Sequence, residues 1–312
     1  MDSQTRFALT AMYRHALIFS VVLFLAGCTN REPAGLPFVE IENSLRPMAK
    51  ALEPTKPGEW LSVHQEDGQT FAQYLGLKPK PRSQGLTTIY LVLLGDFSPE
   101  QKKVLEISEE YLGLFYQSPV RLIHELPGEV VPDEGRRIHP SWETPQIRTS
   151  YVLDQLLRPD RPDDALAYLC FTSSDLCSHA TENYVLGEAR TWERLGVWSI
   201  YRNGDPSESA TAFRQCLRRT MHIATHETGH ILAMKHCTAF QCNMNGANSP
   251  TETDRHPLHF CPVCLRKLIW NLDADPDAYL AALQEFCKNQ EFDDESRWYA
   301  EARKRLMESQ DR

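Results

Sequence analysis

The 312-residue sequence contains no apolar run long enough to cross a bilayer as a helix. The best candidate runs only from Ala16 to Gly27, against the roughly 20 residues a spanning helix needs, so it reads as the core of a secretory signal behind Arg6 and Arg14. A basic stripe is also missing. The net charge of −9 is spread along the whole length, which removes the electrostatic footprint of a nucleic-acid partner. No internal repeat or low-complexity block is present. What remains is a chain with 42% hydrophobic residues and 20 prolines, long enough for one large core or two modest ones.

The apolar run ends in "LAGC". This segment resembles the lipobox of bacterial lipoproteins, which implies lipidation of Cys28 and its exposure as the new N-terminus. Thr29, where an inner-membrane retention signal shows aspartate, points to the periplasmic face of the outer membrane. An ordinary signal peptide with an incidental cysteine is the alternative. The expected organisation is a signal peptide over 1–27, a tether and irregular segment over 28–85 with a short helix near Glu42–Leu52, a catalytic domain over 86–290 and a C-terminal helix over 291–312.

At Thr87 the texture changes. "TTIYLVLLGDF" is a β-branched and apolar run suited to a strand buried on both faces. Ser98 and Pro99 cap the helix "PEQKKVLEISEEYLGLFYQ", and "PVRLIHEL" is the next strand. After a proline-rich link come a helix around Ile147–Leu157, the strand "DALAYLCFTS" and a strand pair, "NYVLGEAR" and "LGVWSIYR", closed by a turn at Asn203–Asp205. Helices over Pro262–Leu272, Asp277–Lys288 and Asp294–Met307 close the chain. Alternating strands and helices give an α/β (α+β) layer with a mixed, mostly parallel sheet, followed by a helical, cysteine-rich part.

The chemistry concentrates in "THETGHILAMKHC", Thr225–Cys237. His226 and His230, four apart on a helix, share one face and can hold one zinc ion. Glu227 stands beside them, off the metal, where it can take a proton from the attacking water. His236, six residues on, reaches the same point only if the helix stops near Ala233 and reverses. Such a turn asks for a left-handed backbone that glycine adopts freely, at a cost of roughly 1 kcal/mol for alanine. Three histidines and an open position make a catalytic site; a closed set of four ligands makes a structural one. His222 lies on the same helical face and reads as a core or supporting histidine. Glu252 is the rival third ligand, although "SPTETDRHP" reads as a loop.

Beyond the third histidine, Cys237, Cys242, Cys261 and Cys264 form two pairs at zinc-site spacing, with two short disulfides as the alternative. Together "HETGHILAMKHC", "CNM" and "CPVCLRKL" resemble the archaemetzincin family, a branch of the metzincin zinc peptidases. The resemblance extends over about 88–272. It implies a metzincin-like domain with an active-site helix, Met244 in the turn beneath a catalytic zinc, a second, structural zinc on the four cysteines, and aminopeptidase-like action on peptide or protein substrates. It departs from the family at Ala233 and in the lipoprotein signal. A non-catalytic, zinc-stabilised envelope lipoprotein is the competing reading.

For Cys170, Cys177, Cys216 and Cys287, pairing and buried free thiols stay equally open. His179, His256 and His259 read as surface or supporting residues. Tyr184, Tyr201 and Arg202 are candidates to line a cleft in which a peptide adds to the strand edge within Tyr184–Arg190.

Overall fold

The structure, a computed structural model, describes residues 38–310; the signal sequence and Cys28 lie outside the described residues. Its centre is a five-stranded sheet of β1 (Thr88–Leu94), β2 (Val120–Leu126), β5 (Ala165–Thr172), β7 (Gly187–Arg190) and β8 (Leu195–Ser199), ordered β2-β1-β5-β8-β7. All pairings are parallel except β7 with β8. The mixed, mostly parallel sheet expected from the sequence is therefore present. β1 and β5 occupy the interior, and every residue of each is buried, which is why both read as unbroken apolar runs. β7 is the antiparallel edge. A second, three-stranded sheet pairs β3 (Arg136–Ile138) with β4 (Pro145–Arg148), and β4 with β6 (Asp175–Cys177).

Helices cover the main sheet. α4 (Pro99–Phe115) starts with a capping box in which Ser98 and Gln101 satisfy each other's backbone N–H, with proline in its first turn. α6 (Ala210–Ile231) begins at Ser209, whose hydroxyl accepts from the Ala212 N–H, and packs against α4 and the β7–β8 edge. α7 (Pro250–Thr253), α8 (Pro262–Leu272), α9 (Pro276–Asn289) and α10 (Asp293–Gln310) form the helical second part.

Three local expectations change. The helix placed at Ile147–Leu157 begins at Thr149, as α5 (Thr149–Tyr151) continued by a π-helical turn over Val152–Leu157. Ile147 is in β4, where pairing with β3 and β6 overrides the local helical pattern. "SPTETDRHP" contains the short helix α7, capped by Ser249, rather than a loop alone.

The third concerns residues 38–85, expected as tether and irregular chain. They carry α1 (Val39–Leu45), α2 (Trp60–Val63) and α3 (Phe71–Gly76), and they dock on the body. α1 lies earlier than the helix expected near Glu42–Leu52, passing into a 3-10 turn at Arg46–Met48 that holds Pro47. Ile41, Leu45, Phe71 and Tyr74 belong to the same core as the sheet and α6. Glu42 Oε2 meets Arg266 Nη1 of α8 at 2.9 Å, both side chains buried. α10 is likewise integral, burying Tyr299, Ala302 and Leu306 and packing on α9 and α1. The expected boundaries at 86 and 290 thus fall inside one core.

Candidate metal centres

His226 and His230 project from the last turns of α6. The helix then ends in a Schellman turn: the Met234 N–H donates to Gly229 O at 3.0 Å and the Ala233 N–H to His230 O at 2.9 Å. Ala233 carries the left-handed backbone, φ 66°, where the sequence argument placed it. The turn is braced from outside, because Gln69 donates to Ala233 O at 3.1 Å and accepts from the Lys235 N–H at 3.2 Å. Ala233→Gly is accordingly expected to stabilise the protein by about 1 kcal/mol, a rise of roughly 2–4 °C in Tm for a domain of this size. A lowered melting temperature would mean that the methyl group contributes more in packing than it costs in strain.

The reversal brings His236 back to the other two imidazoles, with ring centroids 5.2 Å from His226 and 4.8 Å from His230. One ligand atom from each lies within 4.8 Å of the others. The orientation is consistent across the three. His226 Nδ1 bonds Asn243 O at 2.8 Å, His230 Nδ1 bonds Met234 O at 2.7 Å, and His236 Nδ1 meets the Glu66 carboxylate at 2.8 and 3.0 Å. Each outer nitrogen is occupied, so each Nε2 is free to turn inward, and the first two Nε2 atoms are 3.0 Å apart. Ligands of one tetrahedral zinc at about 2.0 Å would lie about 3.3 Å apart, so the donor set fits that ion. Burial, and then the neighbouring imidazoles, push His226 and His230 well toward the neutral form that binds metal, His230 to about 4.

Glu227 opens onto the adjoining cleft, and loss of water pushes its carboxyl up to about 8, with Glu188 adding to the shift. β7 closes over it at Gly187. A Cβ there would sit 3.2 Å from Glu227 Cγ and 3.1 Å from Val197 O, so glycine is what lets strand and acid approach. Gly229, between the two helical histidines, has the same role beneath the site, where a Cβ would lie 2.5 Å from the sulfur of the fully buried Met244. Neither glycine was singled out from the sequence, although a glycine inside a strand and another inside a helix are both signals of close approach.

Cys237, Cys242, Cys261 and Cys264 converge as a second group, all buried, with sulfurs within 4.8 Å of one another and Cys237–Cys261 at 3.7 Å. Tetrahedral zinc thiolates at about 2.3 Å give sulfur separations of about 3.8 Å. Cys261 caps α8, whose N-terminal partial charge favours thiolates, and the Cys261 and Met244 N–H groups donate to Cys242 Sγ at 3.2 and 3.4 Å. Hydrogen bonds, first from Cys242, hold the Cys237 thiol well below its ordinary pKa, whereas burial raises Cys242 and Cys261. The two centres share a frame: the Cys237 N–H donates to Met244 O at 2.7 Å. Cys170, Cys177, Cys216 and Cys287 are buried free thiols.

Other candidates fall elsewhere. Both Glu252 oxygens are engaged, by the Trp60 N–H at 2.9 Å and the Asn248 N–H at 2.7 Å, and Glu252 is outside the histidine group. His222 is buried behind His226, and desolvation keeps it neutral. His256 is buried and His259 is stacked 3.8 Å from Trp298, so neither is a surface residue, while His179 is exposed. A cleft of about 560 Å³ runs past the histidines and Glu227, bounded by Tyr184–Gly187 on one side and by Trp60, Ala247 and Asn248 on the other. Arg202 is held by Asp175 at 2.7 Å beneath the Tyr184 ring, and Tyr201 is half exposed.

The profile of Peptidase family M54 matches residues 120–269. Archaemetzincin-2 of Macaca fascicularis is 28% identical over 248 residues, covering 68% of this chain and 67% of that protein. Archaemetzincin of Thermococcus kodakarensis is 35% identical over 114 residues, 35% of this chain and 59% of that one. Among solved structures, the archaemetzincin of Archaeoglobus fulgidus covers 58% of this chain at 23% identity and a TM-score of 0.47.

Proposed function

This chain belongs to the archaemetzincin family of zinc metallopeptidases, and from that premise we propose that it hydrolyses peptide bonds at the His226–His230–His236 centre, with Glu227 as general base. The observation that carries this reading is the common orientation of the three imidazoles, each Nδ1 satisfied outward and the ring turned toward one point at the floor of an open cleft. Zinc held by His226, His230 and His236 would supply Lewis-acid polarisation of the scissile carbonyl and a water nucleophile near neutral pH. Glu227 takes the proton from the attacking water and delivers it to the leaving amine. The edge strand β7 offers backbone groups along the cleft, so an extended peptide can add to the sheet there, and aminopeptidase-like action is part of the proposal. The four cysteines hold a second, structural zinc, for a total of two per chain.

Metal analysis joined to a peptide-library cleavage assay tests this. Wild type should hold two zinc ions and cleave; His236→Ala should lose one of them and the activity with it. A wild-type protein that holds both ions and cleaves no peptide would leave only a zinc-stabilised binding protein. Lipid anchorage at Cys28, on the periplasmic face of the outer membrane, belongs to the same proposal and rests on the "LAGC" segment. Cys28→Ser should abolish palmitate labelling and release the protein from membrane fractions, and continued labelling would refute it.

A further inference from the structure

The three imidazoles are held in unequal ways. His226 and His230 stand on α6, and their Nδ1 atoms meet neutral backbone carbonyls a few residues away in the same frame. His236 stands beyond the Schellman turn, in chain without helix or strand, and its Nδ1 meets a carboxylate 170 positions earlier. Glu66 Oε2 lies at 2.8 Å and Oε1 at 3.0 Å. Among the described residues, it is the only carboxylate that hydrogen-bonds one of the three rings. The Trp60 ring, edge-on at 5.0 Å, forms the other support for His236 from the same segment.

That segment is fixed on both sides of Glu66. Upstream, the Trp60 N–H is held by Glu252, and Glu59 pairs with Arg255. Downstream, Gln69 braces the Ala233 turn while Lys267 Nζ donates to Gln69 O at 2.6 Å. Gly68, φ +70°, lies so close to Thr238 that a Cβ would sit 2.5 Å from its hydroxyl. The carboxylate is therefore delivered to His236 by a clasp outside residues 120–269, the stretch matched by the family profile.

We infer that Glu66 is a positioning residue: it fixes the ring orientation of His236 and, through the negative charge behind that ring, raises the affinity of the three-histidine centre for zinc. An imidazole that donates its outer N–H to a carboxylate is a stronger metal ligand, and loss of such a partner typically lowers affinity about 10–100-fold. Pre-orientation acts in the same direction, because a free His236 rotor would have to be ordered on binding.

The inference rests on the three-histidine centre holding zinc, and the test separates the two. Full-length protein is equilibrated with graded competing chelator, and the zinc that is lost in His236→Ala is followed. Glu66→Ala should give up that ion at about 10–100-fold lower chelator concentration. Glu66→Gln, which keeps an acceptor for the ring N–H but no charge, should fall between Ala and wild type. Glu53→Gln, which removes an exposed carboxylate of the same stretch outside the clasp, should match wild type. Wild type with no zinc sensitive to His236 removes the metal reading itself. Wild type that binds it as expected, with Glu66→Ala equally tight or Glu53→Gln equally weakened, overturns only the role of Glu66. A Glu66→Gln variant as weak as Glu66→Ala would overturn the orienting part.

Discussion

Replacing Glu227 by glutamine should lower peptide turnover by roughly 10²–10⁴-fold, the usual worth of a positioned acid–base group, while both zinc ions stay bound. Glutamine conserves the shape of a side chain packed against Gly187 and so leaves the wall of the cleft in place. It removes only the ability to accept and return a proton. The environment suits the task. Loss of water around the carboxyl, with Glu188 nearby, carries its pKa up to about 8. A dication at the neighbouring histidines would favour the charged form and bring that value back toward neutrality, where a general base works best. Steady-state kinetics on a peptide found by library screening, with zinc measured on the same samples, give the answer. Turnover at the wild-type level in Glu227→Gln would remove this residue from the chemistry, and loss of zinc would make it a ligand instead.

Which parts of this arrangement could be read from the sequence follows a physical rule. Local periodicity and short spacings are visible; long-range docking is not. β1 and β5 stand out because a strand covered on both faces has no polar alternation to blur it. His226, His230 and the need for a reversal at Ala233 are readable because one helical turn and one left-handed residue are local geometry. Glu66 and Gln69 leave no such trace. They come from a proline- and charge-rich stretch without period, and their partners are 170 and 164 positions away. The same holds for Glu42, whose partner Arg266 is 224 positions distant. The strands of the small sheet are three or four residues long, too short for an alternating pattern, so the β4 segment passed for the start of a helix.

The largest effect on stability is expected at the cysteines. Cys261→Ser with Cys264→Ser should remove one zinc and leave a protein that is largely unfolded or aggregated at room temperature. Binding energy at a structural zinc is folding energy, about 10–16 kcal/mol in small zinc peptides at neutral pH. A domain's whole stability is about 5–15 kcal/mol, so loss of even half that contribution is decisive. Free serines in place of two buried sulfurs add uncompensated hydroxyls near the start of α8. Damage should spread to the other centre. Cys237 follows His236 directly, and its N–H is held by the carbonyl of Met244, the residue packed under Gly229 between the two helical histidines. When the thiolate cluster opens, the third histidine and the floor of the site lose their anchor together, and zinc at the three histidines should become easier to strip. Zinc content, urea midpoints and alkylation of native thiols report on this directly. A double-serine variant that melts like wild type, or native protein whose four thiols prove to be paired as Cys237–Cys242 and Cys261–Cys264 disulfides, would refute a structural zinc at this position.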